Sequence, residues 1–311
     1  MSKLAFVFPG QGSQYVGMAK SMVDQFPKLD ELLEKANHAL SFDMRKLMFE
    51  GPESDLSLTA NTQPAMLIAS VICMTPFLDA GAKPDICAGL SLGEYTAHVL
   101  SGTFDFEDAV KLVRKRGQYM QKEVPEGVGG MAVAVGMSEE ELKPCLEEAS
   151  QYGQIYFSNF NCPGQITVSG EMKALQKYVE ITEKKGSKKS LLLNVSAPFH
   201  SPMLVGAGEK MSMEFEKITL HDMKVPVISN ADAKVINDNT NVKNLLIKQI
   251  YNPVLWQQSI ETLIHEGYET FVEIGPGTTL KGLIKKINRN VMVYNISDVA
   301  TLNQTLEALR I

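Results

Sequence analysis

Short, continuous apolar runs alternate along this chain with longer stretches whose apolar residues recur every three or four positions. The first run, Leu4 to Phe8, has no polar interruption, the pattern of a strand buried on both faces. It ends at Pro9-Gly10-Gln11-Gly12-Ser13-Gln14, where two glycines let backbone approach a neighbour closely, or simply make a strand-to-helix turn. Residues 17 to about 81 read as helices broken at Pro27, Gly51-Pro52 and Pro64. The longest is expected to begin at Asn61-Thr62-Gln63-Pro64-Ala65. Its Met66, Leu67, Ile68, Val71, Ile72, Met74 and Phe77 cover nearly the whole circumference, so it should be buried rather than surface-lying. After a short apolar run at Ile86-Cys87-Ala88 and a helical pattern through Leu100, Phe106 to Gln121 is a further helix.

The texture then changes. Gly129-Gly130 opens a strand at Met131 to Val135. A helix from Ser138 to Ala149 follows, with Ser138 and Glu141 spaced as a capping box. Strands at Ile155 to Asn159 and Gln165 to Ser169 flank the turn Asn161-Cys162-Pro163-Gly164. A helix from Glu171 to Lys184 and a strand from Ser190 to Leu193 complete the order β-α-β-β-α-β, the ferredoxin-like unit. Beyond it, strands are expected at Val225 to Ser229, Thr270 to Ile274 and Val291 to Tyr294. Helices are expected at Val242 to Ile250, Val254 to His265, Leu280 to Asn288 and Leu302 to Leu309. Strands alternating with helices imply an α/β protein whose mainly parallel sheet is covered on both faces. The expected organisation is a large domain from residues 1–126 and 194–311, with residues 127–193 inserted as a small ferredoxin-like domain.

Composition narrows this picture. The 311 residues are 44% hydrophobic and 21% charged, enough apolar material for a proper core, and no run approaches the roughly 20 residues of a membrane span. The first eight residues lack the long apolar centre and cleavage site of a signal peptide. Cys73, Cys87, Cys145 and Cys162 are scattered, which disfavours disulfides and zinc and fits a reducing cytoplasm. A net charge of −6 argues against a general nucleic-acid binder.

The candidate chemistry centres on Gly89-Leu90-Ser91-Leu92-Gly93. A Gly-x-Ser-x-Gly turn between a buried strand and a helix lifts its serine to a helix N-terminus, where free N–H groups can hold a negative oxygen. Alone the pattern is weak, since an ordinary Gly-rich turn produces it in roughly one chain in ten of this length. The Gly-Gln-Gly at 10–12 lacks the lysine and spacing of a nucleotide loop. Among five histidines, His38 and His265 fall in charged helical contexts, His221 neighbours Asp222, and His98 stands two helical turns beyond Ser91. His200, constrained between Pro198 and Pro202, is therefore the best candidate base, although a lone histidine is often structural. In Arg114-Lys115-Arg116-Gly117, Arg114 and Lys115 are expected on a solvated face. Arg116 points about 200° away from Arg114, and Gly117 beside it permits close approach, so Arg116 is the inward candidate.

Gly-Gln-Gly-Ser-Gln at 10–14, Gly-x-Ser-Leu-Gly-Glu at 89–94, Arg116-Gly117, Pro198-Phe199-His200-Ser201, Gln249-x-Tyr-Asn-Pro253 and Glu-Ile-Gly-Pro-Gly at 273–277 occur together and in order. Over essentially its whole length the chain resembles the malonyl-CoA:acyl-carrier-protein transacylases of type II fatty-acid synthesis. The resemblance implies an α/β-hydrolase-like large domain with a ferredoxin-like insert. It implies Ser91 as nucleophile, His200 as its base, and the backbone carbonyl of Gln249 in place of a triad acid. It further implies an oxyanion hole from the N–H groups of Gln11 and Leu92, and Arg116 as the group that binds the malonyl carboxylate and excludes acetyl. Phe199 matches malonyl-selective members. Leu90 departs from the histidine common there; that histidine is not the base, so activity is expected to survive.

Malonyl-CoA and acyl carrier protein are the implied partners, with ping-pong acyl transfer, no metal or bound cofactor, and a monomer expected. Carrier proteins of this pathway are acidic, so a local basic patch is needed for docking. Lys281, Lys285, Lys286 and Arg289, taken as one late helix, are one candidate, and Lys184, Lys185, Lys188 and Lys189 another; solvated faces remain the alternative. A polyketide-synthase acyltransferase, a thioesterase or carboxylesterase on the same elbow, and a catalytically silent malonyl-CoA sensor are the competing readings.

Overall fold

A computed structural model describes residues 3–311. The chain runs β1 (Lys3–Phe8), α1 (Lys20–Gln25), α2 (Asp30–Leu40), α3 (Met44–Glu50), α4 (Glu53–Leu56), α5 (Thr59–Asp79), β2 (Ile86–Gly89), α6 (Leu92–Leu100) and α7 (Phe106–Glu123). A second group follows: β3 (Gly129–Val135), α8 (Glu139–Ala149), β4 (Ile155–Cys162), β5 (Gln165–Glu171), α9 (Met172–Lys184) and β6 (Lys189–Leu192). The rest comprises α10 (Val205–Phe215), β7 (Val227–Ile228), β8 (Val235–Ile236), α11 (Val242–Tyr251), α12 (Trp256–His265), β9 (Tyr268–Ile274), α13 (Thr279–Ile287), β10 (Met292–Ile296) and α14 (Val299–Leu309).

Two sheets result. The larger has strand order β10-β9-β1-β2-β7-β8 and is parallel except where β8 turns back on β7. β1 lies in its middle, and Ala5 to Phe8 are all fully buried, as an uninterrupted apolar strand requires. Its side chains alternate between two cores: Phe6 and Phe8 join α5, α6 and α7 on one face, Ala5 and Val7 join α12 and α13 on the other. The smaller sheet is antiparallel, with order β4-β5-β3-β6, the ferredoxin-like arrangement, and α8 and α9 pack together on it. Ser138 closes the capping box with Glu141. The fold is therefore a large α/β layer structure with a small ferredoxin-like sheet. No helix among the described residues is long and apolar enough to cross a membrane.

Two local expectations give way. Pro64 does not break a helix: α5 starts at Thr59 and runs through it. Proline has no N–H to offer the carbonyl four residues back, and Arg114 fills that gap by donating Nη1 to Ala60 O at 2.6 Å. Arg114 accordingly is not on a solvated face. It is half-buried, bonded also to Asn61 Oδ1, with its guanidinium 4.9 Å from the Phe42 ring centroid. Helix α10 and strand β8 have no counterpart among the expected elements, because Gly206 and Gly208 dilute the helical pattern and two residues are too few to show a period.

Candidate active site

The elbow depends on two glycines. A Cβ on Gly89 would stand 1.9 Å from the backbone of Gly93, and one on Gly93 would stand 2.1 Å from Phe8 O. Helix α6 can start this close to β1 only without those atoms, and Ser91 is left at φ 52°, ψ −102°, a strained conformation for a residue with a Cβ. Asn230, just past β7, holds it there: its Oδ1 accepts from Ser91 N at 2.6 Å and its Nδ2 donates to Gly89 O at 2.8 Å.

His200 reaches the same point from a loop packed on the small sheet. Ser169 Oγ donates to Phe199 O, and Pro198 fills the space above Gly129, where a Cβ would lie 2.8 Å from its ring. The backbone at His200 is left-handed (φ 58°), which turns the imidazole inward. Its Nδ1 lies 2.7 Å from the Gln249 carbonyl oxygen, an acceptor only, so Nδ1 carries the proton and Nε2 is free to accept. The Ser91 hydroxyl lies 2.8 Å from that Nε2. Burial, with the Arg116 charge second, lowers the imidazole to about 3 against the opposing Gln249 carbonyl, so it is neutral at physiological pH.

Arg116 enters from α7. Gly117 lets this helix meet α5, since a Cβ there would lie 2.7 Å from Thr59 O. The guanidinium is 1% exposed and donates to Gln63 Oε1 at 2.9 Å, to Gln249 Oε1 at 2.9 Å and to Ser91 Oγ at 3.0 Å. A guanidinium has five N–H donors, so part of its fork is left for a ligand, and Nε has no partner. The Tyr95 ring centroid lies 5.4 Å from Cζ. Gln249 thus acts twice, through its carbonyl on His200 and through its amide, whose Nε2 donates to Ser91 O at 2.9 Å and Glu94 Oε2 at 2.6 Å.

The cleft around these groups has about 190 Å³ of free volume and is shared between the two sheets, with Leu90, Met131, Asn161 and Phe199 among its walls. Leu92 is the first residue of α6, so its N–H has no helical acceptor. Gln11 follows β1 across the elbow, held close because Gly10 abuts Leu90 O, where a Cβ would come within 2.6 Å. Neither N–H finds an acceptor among the described residues. Leu90 packs against the core on the α12 and α13 face.

The first group of candidate docking cations lies elsewhere, and its four members do not all share a helix. Lys281, Lys285 and Lys286 are on α13, but Arg289 falls in the turn beyond its end at Ile287. Asn288, whose φ is −147°, leaves the helical path before Arg289 is reached. Lys285 is committed to the carbonyls of Arg289 and Val291 at 3.3 and 2.6 Å. No three His, Cys, Asp or Glu side chains among the described residues are placed to hold a metal.

Sequence reasoning missed Asn230, Gln63 and the part played by Glu94. Asn230 stands directly after a parallel strand, the place where α/β sheets position ligand-facing groups, and Gln63 is a polar residue entering an apolar helix; both were available signals.

An elbow serine against a neutral imidazole, with two free N–H groups beside it, defines an acyl-transferring serine enzyme on an α/β scaffold. The acyl transferase domain family matches residues 5–305. A malonyl CoA-acyl carrier protein transacylase of Bacillus subtilis is 42% identical over 311 residues, covering 100% of this chain and 98% of that protein. The chain belongs to the acyl transferase family and, within it, to the malonyl CoA-acyl carrier protein transacylases. The solved transacylase of Clostridium perfringens superposes with a TM-score of 0.95 at 43% identity, over 99% of this chain and 98% of that one. A malonyl-transacylase solved in complex with its holo type II polyketide (PKS) acyl-carrier protein superposes at 0.96 with 37% identity, over 99% and 100%.

Proposed function

We propose that this chain transfers the malonyl group of malonyl-CoA to the phosphopantetheine thiol of acyl carrier protein, supplying fatty-acid synthesis through a malonyl-Ser91 intermediate. One observation carries the reading: Ser91 Oγ lies 2.8 Å from His200 Nε2 and 3.0 Å from Arg116 Nη2, so nucleophile, base and anion binder meet at a single oxygen. The names of the Bacillus and Clostridium relatives support it.

In the first half-reaction His200 Nε2 takes the Ser91 proton as Oγ attacks the thioester carbon. The developing oxyanion faces the N–H groups of Gln11 and Leu92, each worth about 3–4 kcal/mol in the barrier. The Gln249 carbonyl stabilises the imidazolium through Nδ1. Collapse expels the CoA thiolate, which takes the proton from His200. In the second half the carrier thiol gives its proton to His200 and attacks the ester, and Ser91 leaves with that proton. Arg116 holds the malonyl carboxylate throughout, because its planar fork makes parallel charge-assisted bonds.

The same reading takes residues 127–193 as a separate inserted domain and the protein as a cytoplasmic monomer. Carrier docking is assigned to Lys281, Lys286 and Arg289, with Lys285 holding the loop that presents Arg289. Charge reversal at Lys286 and Arg289 together is expected to raise KM for carrier protein and leave KM for malonyl-CoA unchanged. The PKS carrier bound by one solved relative makes transfer to both carrier types the assay that assigns the pathway.

The central test is intact mass after brief mixing with malonyl-CoA, beside acetyl-CoA and Ser91→Ala. A malonyl-sized increase only in the native chain with malonyl-CoA supports the reading. Equal labelling by both thioesters removes the role of Arg116, and no labelling of folded protein removes the activity.

A further inference from the structure

A buried cation ordinarily has a carboxylate against it. Arg116 does not: its hydrogen-bond partners are Gln63, Ser91 and Gln249, all neutral. A carboxylate stands one amide away. Glu94, fully buried in the first turn of α6, accepts from Gln249 Nε2 at 2.6 Å through Oε2, and Gln249 Oε1 accepts from Arg116 Nη2 at 2.9 Å. The amide is therefore polarised along its length, with its N–H toward the anion and its oxygen toward the cation. Flipping it would set like against like. Asn230 N also donates to Oε2, at 3.1 Å, while Oε1 is buried with no partner.

We propose that Glu94 is the resting counter-charge of Arg116, relayed through the Gln249 amide, and that seating the substrate carboxylate on Arg116 makes Glu94 take up a proton from solvent. The inference rests on the malonyl-transfer reading above. Before substrate and above about pH 7, the site holds one cation and one anion. A second carboxylate would leave a net negative charge around a buried guanidinium, where two carboxylates sharing one cation raise each other's proton affinity. Burial already lifts Glu94 to about 7, against the pull of Gln249, Asn230 and Arg116. Neutralising Arg116 removes the one cation in that balance.

The other titratable groups around Glu94 cannot take its place. Tyr95 is neutral and pushed up by burial. His98 on the same helix and His200 above are both lowered to about 3. The Asp232 side chain, on the loop after β7, raises Glu94 further. An acetyl group brings no carboxylate and leaves Glu94 as it was. Exchange of a thioester for a serine ester plus a thiol releases no net proton, so any uptake on acylation belongs to this group.

The wild-type chain is equilibrated with malonyl-CoA and CoA at fixed ratio from pH 6 to 8.5, and the malonylated fraction is read by intact mass. The constant for acylation is expected to be flat below about pH 7 and to fall above it by up to about tenfold per pH unit, one proton's linkage. Glu94→Gln keeps an acceptor oxygen for Gln249 and Asn230 but has no proton to gain, so its constant should not fall. Ionisation of the CoA thiol, shared by both proteins, acts in the opposite direction. A flat wild-type profile, or an E94Q profile that falls equally, overturns the proposal. Should E94Q fail to fold, indicator-dye uptake by the wild-type chain decides: up to one proton per malonyl-Ser91 at pH 8 and none at pH 6 supports it, and none at pH 8 overturns it. A wild-type chain that labels with a flat profile overturns this inference alone. One that never labels overturns the malonyl-transfer reading and this inference with it.

Discussion

Arg116 and Ser91 are direct neighbours, with Nη2 donating to Oγ at 3.0 Å. An acyl group bonded to this serine can therefore place a free carboxylate on this arginine even when it is short, as a three-carbon diacid is. The contact also means that the cation favours an ionised Oγ before any substrate arrives.

Arg116→Ala should accordingly change selectivity more than folding. Breaking a buried charge pair costs about 3–5 kcal/mol, so malonyl transfer should fall by about 10²–10⁴-fold. Labelling by acetyl-CoA, which no longer leaves buried guanidinium N–H groups without an acceptor, should rise. Arg116→Lys should sit nearer to Ala than to the native chain, because an ammonium cannot reach Gln63, Gln249 and the ligand from one plane. Acyl-enzyme formation from both thioesters measures the ratio. An unaltered ratio in either variant would contradict the assignment.

The acid limb of kcat/KM should lie well below the ordinary histidine range. His200 must be neutral to accept the Ser91 proton, and its value of about 3 keeps it neutral as pH falls through 6.5. Activity measured on malonyl-CoA should thus persist at pH 5, where an exposed histidine base would already be mostly protonated. A limb centred at 6.5 would mean that His200 is solvated in the working enzyme. His200→Ala should lower kcat by about 10²–10⁴-fold at every pH.

The sequence made β1, the elbow and the βαββαβ order legible because each rests on local chemistry: an unbroken apolar run, paired glycines, a capping box. It also pointed Arg116 inward, since helical geometry and Gly117 are local facts. What stayed hidden is long-range. Asn230 reaches Ser91 across 139 residues and Gln249 reaches Glu94 across 155, and no periodicity encodes which polar side chain will meet which. Arg114 was misjudged for the same reason. Its partner is a carbonyl freed by Pro64, visible only once α5 and α7 are packed together.

His98 should make the fold acid-sensitive. It is 1% exposed, both ring nitrogens lack partners, and its ring centroid lies 5.4 Å from that of Phe104. Burial lowers it from 6.5 to about 3. The unfolded chain then binds a proton that the folded chain refuses. Stability from this group is complete above pH 6.5 and is lost progressively as pH falls toward 3, on the order of a few kcal/mol in all. His200 acts with the same sign. Thermal melts of His98→Phe between pH 7 and 4 should show a shallower decline than the native chain, with the remaining slope due in part to His200. An identical decline would mean that His98 is not desolvated.

Asn230 should matter for rate through position alone. It touches Ser91 only at backbone, and its two side-chain bonds clamp the strand and the strained residue of the elbow together. Asn230→Ala removes the bonds to Ser91 N–H and Gly89 O, a loss of about 1–3 kcal/mol for each. With Ser91 at φ 52°, the freed backbone can relax toward an ordinary conformation and carry Oγ away from His200. A displacement of about 1 Å can cost on the order of 100-fold in rate. Asn230→Asp separates the two contributions. It keeps the acceptor for Ser91 N but turns a carboxylate oxygen on Gly89 O and adds an anion beside Glu94. Both variants should lower kcat by about 10–100-fold with KM for malonyl-CoA within about twofold, because Arg116, the proposed carboxylate site, makes no hydrogen bond to Asn230. Asn230→Asp should be the more damaging above pH 7, where Glu94 is ionised. A variant with lowered Tm but full kcat would show that the clamp stabilises the fold without positioning the serine.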